Sequence, residues 1–405
     1  MEFEEFCQAV SDNNEEQISA LLQGIDLDEE IGQGGKTLLG LAAERGLAGV
    51  AEHLLKRGCN ANLGARFLRT PLYLAAKNGC DEVVKLLLKS GANRDLRHLS
   101  GNTPLHEAVL HGHINVVTAL LEAGFYVDCR NNGHETPLHI ASIKGHADIA
   151  LELLKAGSDI NASKGTTGVS SIHLACFSNS AEIVRMLLKA GVSVDEPVKH
   201  NQRTPLHYCC IHNSSQAVDV LLDNGCNINA ISMENEESKT PLLKAVELHH
   251  LEIAEKLIKA GADLNQGDRW GVTPLITTIL DSNFEAVELL IRAGCDVDIK
   301  SKNGLTPLSA SLKHPPHIQI TKLLMEANCD VSQRDRYLLY ATYRNSGISL
   351  ELQEQMKTII DTAESPLLLQ KICRMLIRNQ LQKSPLTTVY LLPLPGRMHQ
   401  YLNFS

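Results

Sequence analysis

The sequence predicts an all-α solenoid, a stack of about ten short helix pairs sharing one core, followed by a small helical segment outside the repeat. Thr-Pro-Leu begins at Thr70, Thr103, Thr136, Thr204, Thr240, Thr273 and Thr306, with weaker copies at Thr37 and Ser170. Successive starts from Thr37 lie 33, 33, 33, 34, 34, 36, 33 and 33 residues apart, the period of a stacked-repeat protein rather than of separate globular domains. Aromatic residues make up only 4% of the 405, as expected where helices stack closely through small side chains.

Each element follows from its residues. Residues 1–24 read as a first, partial helix pair, with Phe6, Ala9 and Val10 on one helix and Ile18, Leu21 and Leu22 on the other. In the unit spanning 100–130, Thr103 caps a helix and Pro104 takes its first position, where a missing N–H costs nothing. Leu105, Ala108 and Val109 give that helix a small apolar face, and Gly112 ends it. Ile114, Val117, Leu120 and Leu121 make a second helix at 3-4 spacing, which Gly124 stops. Neither helix can hide its apolar side alone, so neighbours must stack. An insertion between Cys226 and Thr240, carrying Glu234, Glu236 and Glu237, lengthens one exposed loop. The array is expected to occupy 1–335, with capping helices or a linker over 336–361 and a separate box over 362–405. The unit resembles the ankyrin repeat, most fully where histidine follows Thr-Pro-Leu or Ser-Ser-Ile, at His106, His139, His173 and His207.

Composition excludes several functions. The net charge is 38 − 47 = −9, which lacks the basic footprint of a nucleic-acid binder. The acidic start Met1-Glu2-Phe3-Glu4-Glu5 is unlike a secretory signal, and no 18-residue apolar run suits a membrane. Eleven cysteines, an odd number, fit reduced thiols. The expectation is a cytoplasmic protein, with the nucleus also open.

Three chemical motifs dissolve in the repeat register. Gly35-Lys36-Thr37 resembles the end of a phosphate-binding loop, but the earlier glycine would fall at Glu30. His207, Cys209, Cys210 and His212 suggest a metal cluster, yet His207 is the repeat histidine and the cysteines replace paired small residues seen at Ala75-Ala76. Cys59, Cys226, Cys295 and Cys329 share one slot that carries alanine at Ala92 and Ala262. No nucleophile–base–acid set stands apart from the period, so neither catalysis nor a metal nor another cofactor is expected.

In ankyrin proteins the finger tips before Thr-Pro and the two residues after the small pair line the binding surface. The first post-pair slot here reads Glu44, Lys77, Leu110, Ile143, Phe177, Ile211, Glu247 and Leu280. Leu110, Ile143, Phe177 and Ile211, in four consecutive units, form either an apolar partner-binding stripe or side chains tipped inward to hold the stack. Phe67 and Trp270, the only tryptophan, occupy finger positions and are either anchors for a partner or packing against the next finger.

After Asp335 the period stops. From Pro366 onward, Leu369, Cys373 and Ile377 fall at i, i+4 and i+8, with Ile372 and Leu376 beside them. That single apolar face suits a partner groove or a cap on the last repeat. Leu392-Pro393-Leu394-Pro395 then forms an extended element with two fixed φ angles. Leu-x-x-x-Cys-x-x-x-Ile followed by Leu-Pro-Leu-Pro resembles a SOCS box, and with the repeats ahead of it the chain resembles the ankyrin-repeat and SOCS-box family. The resemblance implies that Leu369, Ile372, Cys373, Leu376 and Ile377 dock on elongin C, which pairs with elongin B. It implies that Leu392, Pro393, Leu394 and Pro395 select cullin-5 with its RING subunit, and that the repeats hold a protein substrate for ubiquitination. Where the family carries a small or polar residue before the key leucine, this chain has Leu368. The alternative is an ankyrin scaffold that recruits no ligase.

Overall fold

The computed structural model describes residues 36–64, 68–234, 237–313 and 317–344, with 4, 5, 8, 9, 12, 14–23, 26–29, 354 and 357–361. The chain forms two compact units, Met1–Pro274 and Leu275–Ser405.

In the first unit the repeat becomes two layers of helices. Leu38–Arg45, Pro71–Asn78, Pro104–Leu110, Pro137–Lys144, Ser171–Phe177, Pro205–Ile211 and Pro241–Glu247 stack in order as an inner layer. Ala48–Lys56, Asp81–Lys89, Ile114–Glu122, Ala147–Lys155, Ala181–Lys189, Ser215–Asp223 and Leu251–Lys259 stack as an outer one. Inner helices start where threonine can cap them: the Oγ1 atoms of Thr37, Thr70 and Thr240 accept from the N–H of Gly40, Tyr73 and Leu243 at 3.1, 3.2 and 3.2 Å. Between the layers, pairs such as Ala75-Ala76 and Cys209-Cys210 meet outer-helix triads such as Val83, Val84 and Leu87, all fully buried. Small residues on one side and branched ones on the other let the layers close without voids.

Inner helices turn out through a left-handed residue. Gly79 holds φ at +75°, and a Cβ there would sit 2.6 Å from His113 Nδ1. That close approach lets the His113 Nε2–H donate to the Lys77 carbonyl in the preceding unit at 3.0 Å. Further along, His250 Nδ1 donates to the Cys210 carbonyl at 2.7 Å.

Consecutive units are joined at both margins. The repeat histidines span one of them. The Thr103 N–H donates to His106 Nδ1 at 3.2 Å, so Nδ1 is the acceptor and Nε2 carries the proton. That Nε2–H donates to the Glu135 carbonyl of the next unit at 3.1 Å. His173 and His207 do the same toward the Glu196 and Lys239 carbonyls, at 2.8 and 3.0 Å. At the other margin, carboxylate or amide oxygens accept from the backbone of the following unit. Asp28 holds Asn60, Asn62 holds Asn93, Asp195 holds Asn227 and Asn229 holds Asp263, at 2.6–2.9 Å.

The insertion after Cys226 is more ordered than a lengthened loop. Ser232–Glu234 and Glu237–Lys239 pair antiparallel, with Ser232 opposite Lys239, and the Met233 N–H donates to the Asn201 carbonyl at 2.7 Å. A second ribbon joins Ser163–Lys164 to Val169–Ser170. In both, a finger with extra residues satisfies part of its backbone by pairing with itself.

In the second unit, Phe284–Arg292 packs on Ile318–Glu326, and Pro307–Ser311 lies against both Ile318–Glu326 and Gln333–Arg344. Asp335, almost fully buried, accepts from Thr306 Oγ1 at 3.3 Å and from the Ser332 N–H at 3.0 Å, which fixes the last of these helices to the preceding cap. Among the described residues, no helix is long and apolar enough to cross a membrane.

Candidate protein-binding site

The inner helices of the first unit carry the surface that the sequence singles out. Beyond the buried small pair, each presents two residues on the face turned away from the outer layer. Phe177 is 43% exposed, whereas Leu110, Ile143 and Ile211 are half-buried. At its two ends the row turns into ion pairs: Lys36 with Glu44 at 2.6 Å, and Glu247 with Lys239 at 2.6 Å and Lys244 at 3.4 Å. Burial works against ionisation of Glu247, but the two ammonium groups outweigh it and hold its carboxyl below the usual range. The row is therefore apolar only over four units.

Rings collect at the middle of that row. The Phe177 ring centroid lies 4.3 Å from that of His212, and Tyr208 meets His173 edge-on at 5.1 Å. Burial, then the nearby Arg203 guanidinium, holds the His212 imidazole below its ordinary pKa. Nearer the amino end, Glu107 is buried on the inner layer and takes Asn102 Nδ2 at 2.7 Å, with His111 Nε2 at 3.6 Å. Burial and a hydrogen bond to that carboxylate push the Tyr73 phenol far up.

Trp270, 41% exposed, stands on a finger whose turn is fully tied: Asp268 Oδ1 accepts from the N–H of Trp270 at 2.9 Å and of Val272 at 2.8 Å. A Cβ at Gly267 would come within 2.7 Å of the Gly271 carbonyl carbon, so this finger needs glycine there. The indole is thus presented on a rigid loop. Phe67 lies outside the described residues. So do Leu369, Ile372, Cys373, Leu376, Ile377, Leu392, Pro393, Leu394 and Pro395.

The residues that imitate other chemistries have local roles. Thr37 caps a helix, as the threonines of other units do, and Lys36 is engaged by Glu44. Both nitrogens of His207 are held, Nδ1 by Thr204 Oγ1 at 2.9 Å and Nε2 by the Lys239 carbonyl at 3.0 Å. Cys209 and Cys210 are fully buried, and burial raises both thiols. The sequence reading passed over Glu107 and Tyr208. Both stand in a slot occupied by Leu74, Ile140 and Leu174 elsewhere, so comparing units position by position reveals them.

Comparison with known proteins matches these observations to families. A model described as ankyrin repeats (3 copies) matches residues 6–98, 90–164, 172–268 and 242–335, well over half of the chain. A SOCS box model matches residues 365–403. Among solved structures, the human ASB11 ankyrin repeat domain is 27% identical with a TM-score of 0.46, over 51% of this chain and 90% of that one. A comparison with curated proteins gave no match. Ankyrin repeats and SOCS boxes are non-catalytic, adaptor-type domains. A repeat array followed by the box places this chain in the ankyrin-repeat and SOCS-box family.

Proposed function

We propose that the chain is the substrate-recognition subunit of an elongin BC–cullin-5–RING ubiquitin ligase. The observation that carries this reading is the SOCS box at residues 365–403 behind an ankyrin array that ends at 335. In it, Leu369, Ile372, Cys373, Leu376 and Ile377 present one helical face to elongin C, and Leu392 to Pro395 meet cullin-5. Leu110, Ile143, Phe177 and Ile211, with the finger residues Phe67 and Trp270, hold the target protein. Catalysis is then proximity. The assembly raises the local concentration of a substrate lysine near the ubiquitin thioester, and no residue of this chain makes or breaks a bond. No cofactor is required, and the reading suits a protein of the cytoplasm, with the nucleus also open.

Co-purification tests it. The full chain should retain elongins B and C, and Leu369→Asp should lose both while the repeats keep their thermal transition. A wild-type chain that retains neither elongin is an ankyrin scaffold and not a ligase subunit.

A further inference from the structure

The apolar row has a second row beside it. The residues after Leu110, Ile143, Phe177 and Ile211 are His111, Lys144, Ser178 and His212, each at or just past the end of its inner helix, with no carboxylate among them. His111, Lys144 and His212 are exposed. The rows interlock, since Phe177 of one unit touches His212 of the next at 4.3 Å between centroids. Burial is the main cause that lowers the His111 pKa; the Glu107 carboxylate opposes it, and Lys77 and Lys144, in the units on either side, add to it.

Two carboxylates of these units are already engaged. Glu107 takes Asn102 and His111, and Glu135 takes Lys164 at 2.7 Å and Asn131 at 3.1 Å. Among the described residues, Lys144 makes no ion pair. Along this apolar stripe the first unit thus presents an edge of exposed donors with no carboxylate of its own, the Lys144 ammonium as its fixed charge and the His111 and His212 imidazoles beside it.

We propose that the first unit takes an extended acidic segment of its partner, with a bulky apolar side chain seated on Phe177 between Ile143 and Ile211 and carboxylates along the His111–Lys144–His212 edge. Charge complementarity selects this occupant. A basic segment would meet Lys144 unscreened, and an uncharged one would leave the ammonium unmatched on binding. Helices packed about 9 Å apart give a stripe of about 27 Å over three intervals, which an extended chain crosses in about eight residues. The proposal rests on the inner face being the substrate surface, and it adds the chemistry of the ligand.

A random peptide library displayed on phage, panned on the purified full chain, tests this. Enriched peptides should share a large apolar residue flanked by an excess of Asp and Glu. A synthetic copy of one should weaken about 30-fold or more on Phe177→Asp and about 3- to 10-fold on Lys144→Glu, by fluorescence anisotropy. Phe177→Ala serves in place of Phe177→Asp should the latter lower the thermal midpoint. Basic or charge-neutral winners overturn the proposal, and so does an absence of enrichment. Binding that survives both Phe177 variants moves the substrate surface elsewhere. Elongin retention, read on the same preparation, fails independently if the ligase reading is wrong.

Discussion

His139, His173 and His207 each stand at the third position of an inner helix, buried against a threonine or serine cap. Burial is the main cause holding all three at a pKa of about 4, against an ordinary 6.5. His106 shifts in the same direction. A base whose folded pKa is depressed must be neutral in the fold. Its contribution is complete above 6.5 and is lost progressively as pH falls toward 4, by about 3 kcal/mol for each histidine. Urea unfolding should therefore show stability dropping from neutral pH to about pH 4.5, with a shallower drop in His173→Gln, whose amide can still close the cap but does not titrate. Equal slopes in the two proteins would contradict this. Asn179 offers a second test. It takes the left-handed position filled by glycine elsewhere, with φ +55°, and its Oδ1 accepts from the N–H of Gln216 and Ala217 at 3.1 and 3.2 Å. Asn179→Ala should cost about 1–2 kcal/mol in urea unfolding, and Asn179→Gly less, because glycine loses only the cap. The histidines are legible in the sequence through the repeated motif. Their depressed pKa is not, since it comes from burial beneath the stacked units, which the motif alone does not reveal, while the hydrogen bond to a carbonyl of the following unit works the other way.

Helices and fingers were legible to different degrees. The inner helices could be read because cap, proline and small pair recur at fixed offsets, and the outer ones because their apolar triads do. The finger after Cys226 could not be read as a hairpin. Its strands, Ser-Met-Glu and Glu-Ser-Lys, hold one apolar residue between them, and that one, Met233, is exposed, so no buried face marks them as strands. Cys176, Cys209, Cys210 and Cys226 fill small-residue positions between helix layers, so iodoacetamide should leave all four unmodified in the native chain and reach them only on unfolding. Rapid native labelling of Cys209 or Cys210 would place them in an open site instead. Trp270 is the opposite case, exposed on a tied turn. Trp270→Ala should change stability by no more than about 0.5 kcal/mol in thermal unfolding, and a larger loss would make the indole a packing residue between fingers.

For the molecule as a whole, division of labour replaces catalysis. Small residues build a stack whose own side chains are consumed by packing, capping and stitching, which leaves a few positions per unit free to vary. In the first unit those positions carry Phe177 and Lys144, and beyond the array the chain carries the SOCS box at 365–403. The repeat period made the array legible, and Leu-x-x-x-Cys-x-x-x-Ile with Leu-Pro-Leu-Pro made the box legible. The identity of the partner was not, because shape and charge on the inner face arise from residues about 33 apart, and no short motif encodes them. On the proposed function, one chain joins a substrate surface to a ligase core. Light scattering on the full chain mixed with elongins B and C and cullin-5 measures it most directly. A single complex holding one copy of each is the predicted result, lost when Leu392, Pro393, Leu394 and Pro395 are all replaced by alanine while elongin binding persists. A mixture in which cullin-5 elutes apart from the chain and its elongins would contradict the account.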